Sequence, residues 1–396
     1  MGCRVALGDV CSFYRGASIP RTRMYDKGAY LYIHYGDLYK GFDLHIDVED
    51  PAKPIPYILN NEKIKDSQRL RNQDIVYVLT SETVDDLGHA YLFNNPKEKP
   101  AISGTETTIV RVNRRDLVVP AYLNYLMSSP RFIRELRQYT RGMKVFRVHP
   151  KDVARIEIDL PQTEVQHQIV SILDAIYAKQ QANSKLNGYL EEQCEAVANH
   201  EKGFAVELSS LCDLVKEKTD YNEANFDTYV STESLLPGKK GRQAPSSLPQ
   251  TGKVTVYKAG DILVSNIRPY FKKIWYADRT GTCSGDVLVF RAKQPEQSGY
   301  LYSRMRSDAF FDYIMKGAKG TKMPRGDKKQ MLTYKVTSNP SGATVDFIES
   351  ALSQASSLSK EKHRLAALRD VLLPKLMSGE IDVSKVNLKQ LNSHLA

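Results

Sequence analysis

The sequence predicts an α+β chain built as a duplicated unit, each copy a mixed domain of strands and short helices followed by a long helix. Three observations predict it. Residues 120–161, PAYLNYLMSSPRFIRELRQYTRGMKVFRVHPKDVARIEIDLP, have a counterpart at 298–340, SGYLYSRMRSDAFFDYIMKGAKGTKMPRGDKKQMLTYKVTSNP. Two upstream segments recur in the same order. Each copy then runs through a prolyl boundary into a long stretch whose apolar residues recur at three, four and seven, the spacing of a coiled-coil stripe.

Within the longer match, Tyr122-Leu123 falls opposite Tyr300-Leu301, Phe132 opposite Phe310 and Gly142 opposite Gly320, all at an offset of 178 residues. Lys144 and Lys322, and Arg147 and Arg325, hold the same offset, and a one-residue slip then aligns Pro161 with Pro340. Upstream, NQDIVYVLTS (72–81) parallels AGDILVSNIR (259–268), and ISGTETTIVRVN (102–113) parallels CSGDVLVFRAK (283–293). A period near 180 residues is too long for a solenoid. Strands are expected at DIVYVLT, TTIVRV, RIEIDL, DILVSN and DVLVFRA, which are β-branched and bounded by Gly, Asn or Asp. Short helices such as AYLNYLMSSPRFIRELRQY lie between them without the regular alternation of a parallel sheet.

The second long helix places Ala351, Leu358, Leu365 and Leu372 at intervals of seven, with Ile348 and Ala355 at the intervening position. The first carries Ile169, Leu173, Ile176, Leu186, Leu190, Cys194 and Val197, with polar Gln180 and Asn183 interrupting the seam. Each is expected to pack on the other, antiparallel, as a pair roughly 52 Å long. LRDVLLPKLMSGEIDV (368–383) reads as a helix stopped by Pro374 and Gly379, with Leu368 and Leu372 continuing the stripe beside the opening of the first helix. The expected boundaries are 1–160 for the first mixed domain, 161–203 for the first long helix and 204–339 for the second mixed domain. The second long helix follows at 340–378 and a tail at 379–396.

Composition narrows the function. The chain has 56 Lys and Arg against 46 Asp and Glu, a net charge of +10, which suits a polyanion such as nucleic acid. The five cysteines (Cys3, Cys11, Cys194, Cys212, Cys283) form no CxxC pair, so no zinc site is signalled and they read as reduced thiols. No stretch approaches the ~18 apolar residues of a membrane span, and MGCRVALGDVCSFYRG is not a signal peptide. The expectation is a cytoplasmic protein without membrane contact. There is no phosphate-binding GxxxxGK[ST] loop, no GxSxG elbow, no HExxH and no glycine-rich methyl-donor motif. His34 and His45 read as packing or surface residues, and Asp85-Asp86 and Glu191-Glu192 as solvated charge. No catalytic residue, metal site or bound cofactor is expected of this chain.

What remains is basic and aromatic. SNIRPYFKKIWY (265–276) sets Arg268, Lys272 and Lys273 among Tyr270, Phe271, Trp275 and Tyr276. RGMKVFRVHPK (141–151) offers Arg141, Lys144 and Arg147, and KGAKGTKMPRGDKK (316–329) offers Lys319, Lys322 and Arg325 at matching repeat positions. IPRTRMY (19–25) adds Arg21, Arg23 and Tyr25, and PGKKGRQ (237–243) adds Lys240 and Arg242. Cations neutralise phosphates, loop side chains reach base edges, and glycine lets a backbone come close to a phosphate. A solvated basic surface accounts for about half of such residues singly; recurrence of the 141–151 and 316–329 loops in both halves favours function. Ile169, Leu173, Ile176, Leu190, Ile348, Leu358, Leu365 and Leu372 are the expected helix–helix packing residues.

Two mixed domains, each followed by a long helix, resemble the DNA-specificity subunit of type I restriction–modification systems. EVQHQIVSILDAI after IDLPQ is similar to the family's first spacer-helix opening, P-x-x-E-Q followed by I-x-x-x-L-x-x-I, with Gln166 in place and Val165 replacing the preceding Glu. LRDVLLPKLMSGEIDV is close to the family's C-terminal signature, while NPSGATVDFIESAL departs from the P-x-x-E-Q form. The resemblance implies two target-recognition domains with two antiparallel coiled-coil spacer helices and pseudo-two-fold symmetry. It implies that each domain reads half of a split site on double-stranded DNA. It further implies that the helices set the gap and dock two methyltransferase subunits, with restriction–translocase subunits beyond them. S-adenosylmethionine and ATP with magnesium would then belong to those partners. A coiled-coil protein scaffold and a nucleic-acid enzyme with an unrecognised active site are alternatives. The paired basic loops weigh against the first and the missing cofactor motifs against the second.

Overall fold

The computed structural model describes residues 2–51, 53–84 and 86–386; Asp85 and residues 387–396 of the expected tail lie outside the described residues. The chain divides into two compact units, Met1–Lys179 with Leu365–Ala396, and Gln180–Arg364. Both division points fall inside long helices, Thr163–His200 and Gly342–Met377.

In the first unit, a five-stranded sheet runs in the order Cys11–Arg15, Thr107–Val112, Ile75–Val78, His89–Asn94, His45–Asp47. All pairs are antiparallel except the last. The central strand is buried on both faces, as period-two geometry requires when both are covered. Ile75 and Tyr77 face a core with Tyr122, Leu123 and Leu136, whereas Val76 and Val78 pack with Leu31, Phe93 and Ile109. A smaller sheet, Tyr57–Ile58, Tyr30–Ile33 and Ala101–Ser103, lies beyond the second face. Ile169, Ile172, Leu173 and Ile176 of the first long helix join the first core together with Leu365, Leu373 and Leu376 of the second.

The second unit repeats the plan. Its sheet runs Cys212–Leu214, Val287–Ala292, Ile262–Ser265, Ile274–Tyr276, again with alternating faces. Ile262, Val264, Leu288 and Phe290 face one core and Leu263, Val287 and Val289 the other. Helices Pro120–Met127 and Ser298–Met305 stand at equivalent places, as do Pro130–Arg137 and Asp308–Lys316. The break inside each expected helix is an N-cap: Ser129 accepts from the Phe132 amide and Ser307 from the Phe310 amide. The repeat also extends further upstream than the sequence comparison reached. Cys3–Ala6 pairs with Glu157–Leu160, and Ala205–Glu207 pairs with Lys335–Thr337. A single helical turn follows in each, Leu7–Val10 and Leu208–Leu211, with Leu7 and Leu208 buried.

Each unit also contains a buried Asp–Arg pair at matching strand positions. Asp74 takes Arg111 Nε and Nη2 at 2.9 and 2.7 Å, and Asp261 takes Arg291 Nε and Nη2 at 2.8 and 2.7 Å. Each carboxylate also accepts a backbone amide, from Arg71 and from Lys258. These bidentate bonds tie the strand start to its neighbour across the sheet.

The long helices run antiparallel within the second unit. Gln180 Nε2 reaches the Lys362 carbonyl at 3.4 Å, Asn183 the Glu361 carboxylate at 2.7 Å and Asn187 the Ser359 hydroxyl at 2.7 Å. The polar residues expected to interrupt the seam therefore bond across it. Ile169, Leu173, Ile176, Ile348 and Leu365 are buried, Leu190 and Leu372 are partly buried against the cores, and Leu358 is half-exposed. Leu186 and Leu368 were expected in the stripe and are exposed instead. A straight helix drifts about 20° per heptad away from a strict seven-residue repeat, so Leu373 and Leu376 take the buried face near the end.

Pro374 does not stop the second helix, which continues to Met377. Pro374 has no N–H to donate to the Asp370 carbonyl one turn back, and both residues are exposed, so that carbonyl is open to solvent. The stop is Gly379, at φ +74°, behind which the Ile381 amide returns to the Lys375 carbonyl.

Candidate nucleic-acid interface

In each unit the chain leaving a short helix turns through a glycine-containing hairpin. Arg141 and Arg147 exchange two backbone hydrogen bonds, each 2.9 Å, and Lys319 and Arg325 do the same at 2.9 Å. Gly142 and Gly320 occupy the same turn position with φ of +111° and +97°, a region that favours glycine. A Cβ on Gly142 would collide with the Val145 carbonyl. Both hairpins are anchored on the end of the central strand. The Val148 amide donates to the Leu79 carbonyl at 3.0 Å and the Gly326 amide to the Asn266 carbonyl at 3.2 Å. The sequence repeat at these loops is thus a repeat of backbone hydrogen bonding.

The hairpins present cations to solvent. Lys144 and Lys322 are exposed at equivalent positions. Arg141 lies 3.1 Å from Asp152, Arg147 3.8 Å from Glu106, Lys319 3.5 Å from Asp327 and Arg325 3.3 Å from Asp286. The four cations are exposed, whereas Asp152 is buried, so their side chains face solvent from these pairings.

Of the other expected contacts in the second unit, the structure gathers several around the hairpin. The Arg268 amide donates to the Pro324 carbonyl, while the Gly238 and Lys239 amides donate to the Phe271 and Lys272 carbonyls. Segments 237–243, 268–273 and 319–325 are therefore neighbours. Arg268 adopts φ +50°, its Nε buried without a hydrogen-bond partner, and exposed Tyr270 lies against Phe271 at 4.7 Å. Lys240 is exposed.

Three of the expected cations are only partly exposed and are engaged by protein groups. Lys272 Nζ sits 3.0 Å from Asp308, and Lys273 donates to the Thr232 carbonyl at 2.6 Å, with burial lowering its pKa. Arg242 stacks on Trp275 at 5.2 Å and donates to the Asp227 carbonyl; burial and the nearby Arg279 lower its pKa. In the first unit, Arg21 bonds Asp37 at 2.7 Å and His34 at 3.2 Å, Arg23 lies 3.2 Å from Glu62, and Tyr25 is exposed.

Sequence reasoning missed a partly buried charge network centred on Arg306 in the second unit. Arg306 lies 3.3 Å from Glu191 and 2.8 Å from Glu195, and Lys239 bridges Glu195 and Asp308 at 3.3 and 2.8 Å. Glu191, expected as solvated charge, is instead partly buried, and it also accepts from Tyr302 at 3.1 Å. Its neighbour Glu192 is exposed. No local signal separates the two, because the long helix turns them to different faces.

Gln166, the residue shared with the spacer-helix opening, is fully buried and uses all its reach. Its Oε1 accepts the Val119 amide, and its Nε2 donates to the Leu117 and Pro161 carbonyls, each at 2.8 Å. It pins the start of the first long helix to the short helix beside it. His45 packs on Tyr177 with ring centroids 4.4 Å apart, and His34 caps the helix Tyr35–Gly41. Among the described residues there is no group of three or more His, Cys, Asp or Glu placed to hold a metal ion. No described helix is long and apolar enough to cross a membrane.

Comparison with known proteins adds three findings. Residues 4–192 match the family model described as the type I restriction modification DNA specificity domain. The chain is 21% identical over 318 residues to the type I restriction enzyme EcoDI specificity subunit of Escherichia coli, covering 67% of this chain and 71% of that protein. It also resembles the crystal structure of the type I restriction–modification S subunit from M. genitalium, with a TM-score of 0.53 at 13% identity, covering 95% and 96% of the two chains. That likeness is one of fold. The HsdS subunit from Thermoanaerobacter tengcongensis is 16% identical, covers 96% of this chain and 97% of its own, and has a TM-score of 0.36.

Proposed function

We propose that this chain, whose residues 4–192 match the type I restriction modification DNA specificity domain, is a DNA-specificity subunit in which each of the two mixed units reads one half of a split DNA site. The observation that carries this is the basic hairpin repeated with the same backbone bonds in both units, at 141–147 and 319–325. Exposed lysine at the same turn position supplies phosphate contact in each, and neighbouring side chains supply base readout. The long helices set the gap between half-sites and carry two methyltransferase subunits, with restriction–translocase subunits completing the complex. This subunit is not itself an enzyme and holds no cofactor. The methyl donor and ATP with magnesium are bound by the partners, in the cytoplasm.

Methylome sequencing of a host with and without this gene, beside an intact modification subunit, tests the assignment. A split methylated motif is expected only when the gene is present; unchanged methylation would remove the specificity role. Adding one helical turn near residue 180 is expected to lengthen the gap in that motif, and a constant gap would refute the spacing role alone.

A further inference from the structure

The first hairpin carries a side chain that its place in the fold does not explain. Met143 is 94% exposed, beside a half-exposed Val145, on a turn whose other side chains are Arg141, Lys144 and Arg147. A large apolar group held in water among cations at a rigid tip fits a partner that is polyanionic on its rim and apolar within reach. Duplex DNA has that character in its major groove, about 12 Å wide and able to admit a β-ribbon, whereas the minor groove of about 6 Å is too narrow. There the thymine C5-methyl is the apolar group that a side chain can contact.

We infer that Met143 is a specificity-determining residue of the first unit, packing on a thymine methyl in the major groove while Lys144 holds an adjacent phosphate. This rests on the DNA-specificity role proposed above. The turn geometry supports it. Gly142 at φ +111° and the paired Arg141 and Arg147 backbones fix the tip, so little order is lost when Met143 meets a base. The second unit places Thr321 at the Met143 position and a half-exposed Met323 at the Val145 position, so the same contact is not transferred there.

The test uses the full chain assembled with its modification subunits. It measures binding to duplexes of the methylated motif in which each thymine in turn is replaced by uracil, which removes only the C5-methyl. One replacement, in one half-site, is expected to weaken binding by about fivefold, the low end for a lost base contact. Met143→Ala is expected to weaken the thymine duplex by a similar factor and to lose the response to that uracil. Met143→Leu, which keeps an apolar group, retains the response. Lys144→Ala is expected to weaken all duplexes alike and to lower the salt slope by about 1. If Met143→Ala responds to every uracil as the unaltered complex does, the inference is overturned while the specificity role stands. If the unaltered complex binds all sequences equally, the specificity role itself falls.

Discussion

Asn183 on the first long helix donates its side-chain amide to the Glu361 carboxylate on the second at 2.7 Å, with Gln180 and Asn187 bonding across the same seam on either side. Polar groups at such positions cost stability relative to leucine but bond in only one register, which fixes the alignment of the pair. Asn183→Ala leaves the half-buried carboxylate of Glu361 without this donor. It is expected to lower stability by about 1–2 kcal/mol, read from chemical denaturation. An unchanged midpoint would show that water replaces the amide at no cost.

The two buried Asp–Arg pairs differ in exposure. The Arg111 side chain is 11% exposed and that of Arg291 33%, while both aspartates are nearly fully buried. Removing the carboxylate strands a more deeply buried guanidinium in the first unit. Asp74→Ala is expected to cost about 3 kcal/mol and Asp261→Ala less, because Arg291 is better reached by water. Equal losses, measured by hydrogen exchange within each unit, would argue against burial as the cause.

Gly142→Ala forces a Cβ into the Val145 carbonyl at a φ of +111°. The hairpin must then open or shift, while the core beneath it is untouched. The expected result is DNA affinity reduced at least as much as by Lys144→Ala, with the melting temperature nearly unchanged. A large drop in melting temperature without loss of affinity would contradict it.

His45 is packed between Tyr177 and Tyr125, and burial lowers its imidazole pKa even though Asp174, Asp43 and Asp47 pull it upward. A depressed native pKa means that the unfolded chain takes up the proton first as pH falls. The stabilisation is therefore complete above the unfolded value of about 6.5 and is lost as pH falls from there through the native value. The first unit is expected to melt lower at about pH 5 than at about pH 7, and His45→Phe to remove part of that difference, since burial lowers His34 and His89 in the same direction. A pH dependence identical in both proteins would assign it to other groups.

The strands Ile75–Val78 and Ile262–Ser265 were legible from β-branched residues bounded by Gly, Asn or Asp, and both long helices from the three, four and seven spacing that burial of one face imposes. The upstream part of the repeat was not legible: Leu7 with Leu208, and Cys11 with Cys212, sit in elements of three to five residues, too short for a period to register. The candidate site divided along the same line. Which loops are basic was plain from residue type, but Lys272 and Lys273 adjoin in sequence with Arg268 and only the fold turns them toward Asp308 and Thr232.

By itself, the sequence determined the duplication, the central strands, the two long helices and the pair of glycine-containing basic turns, all of which follow from local spacing and residue chemistry. Only the tertiary structure decided which cations remain available. It drew Glu191 against the buried Arg306, carried the second helix past Pro374 and joined both hairpins to the ends of their central strands at Leu79 and Asn266. Those outcomes depend on which face of an element meets another, and on hydrogen bonds between residues far apart in the chain, which no local pattern records.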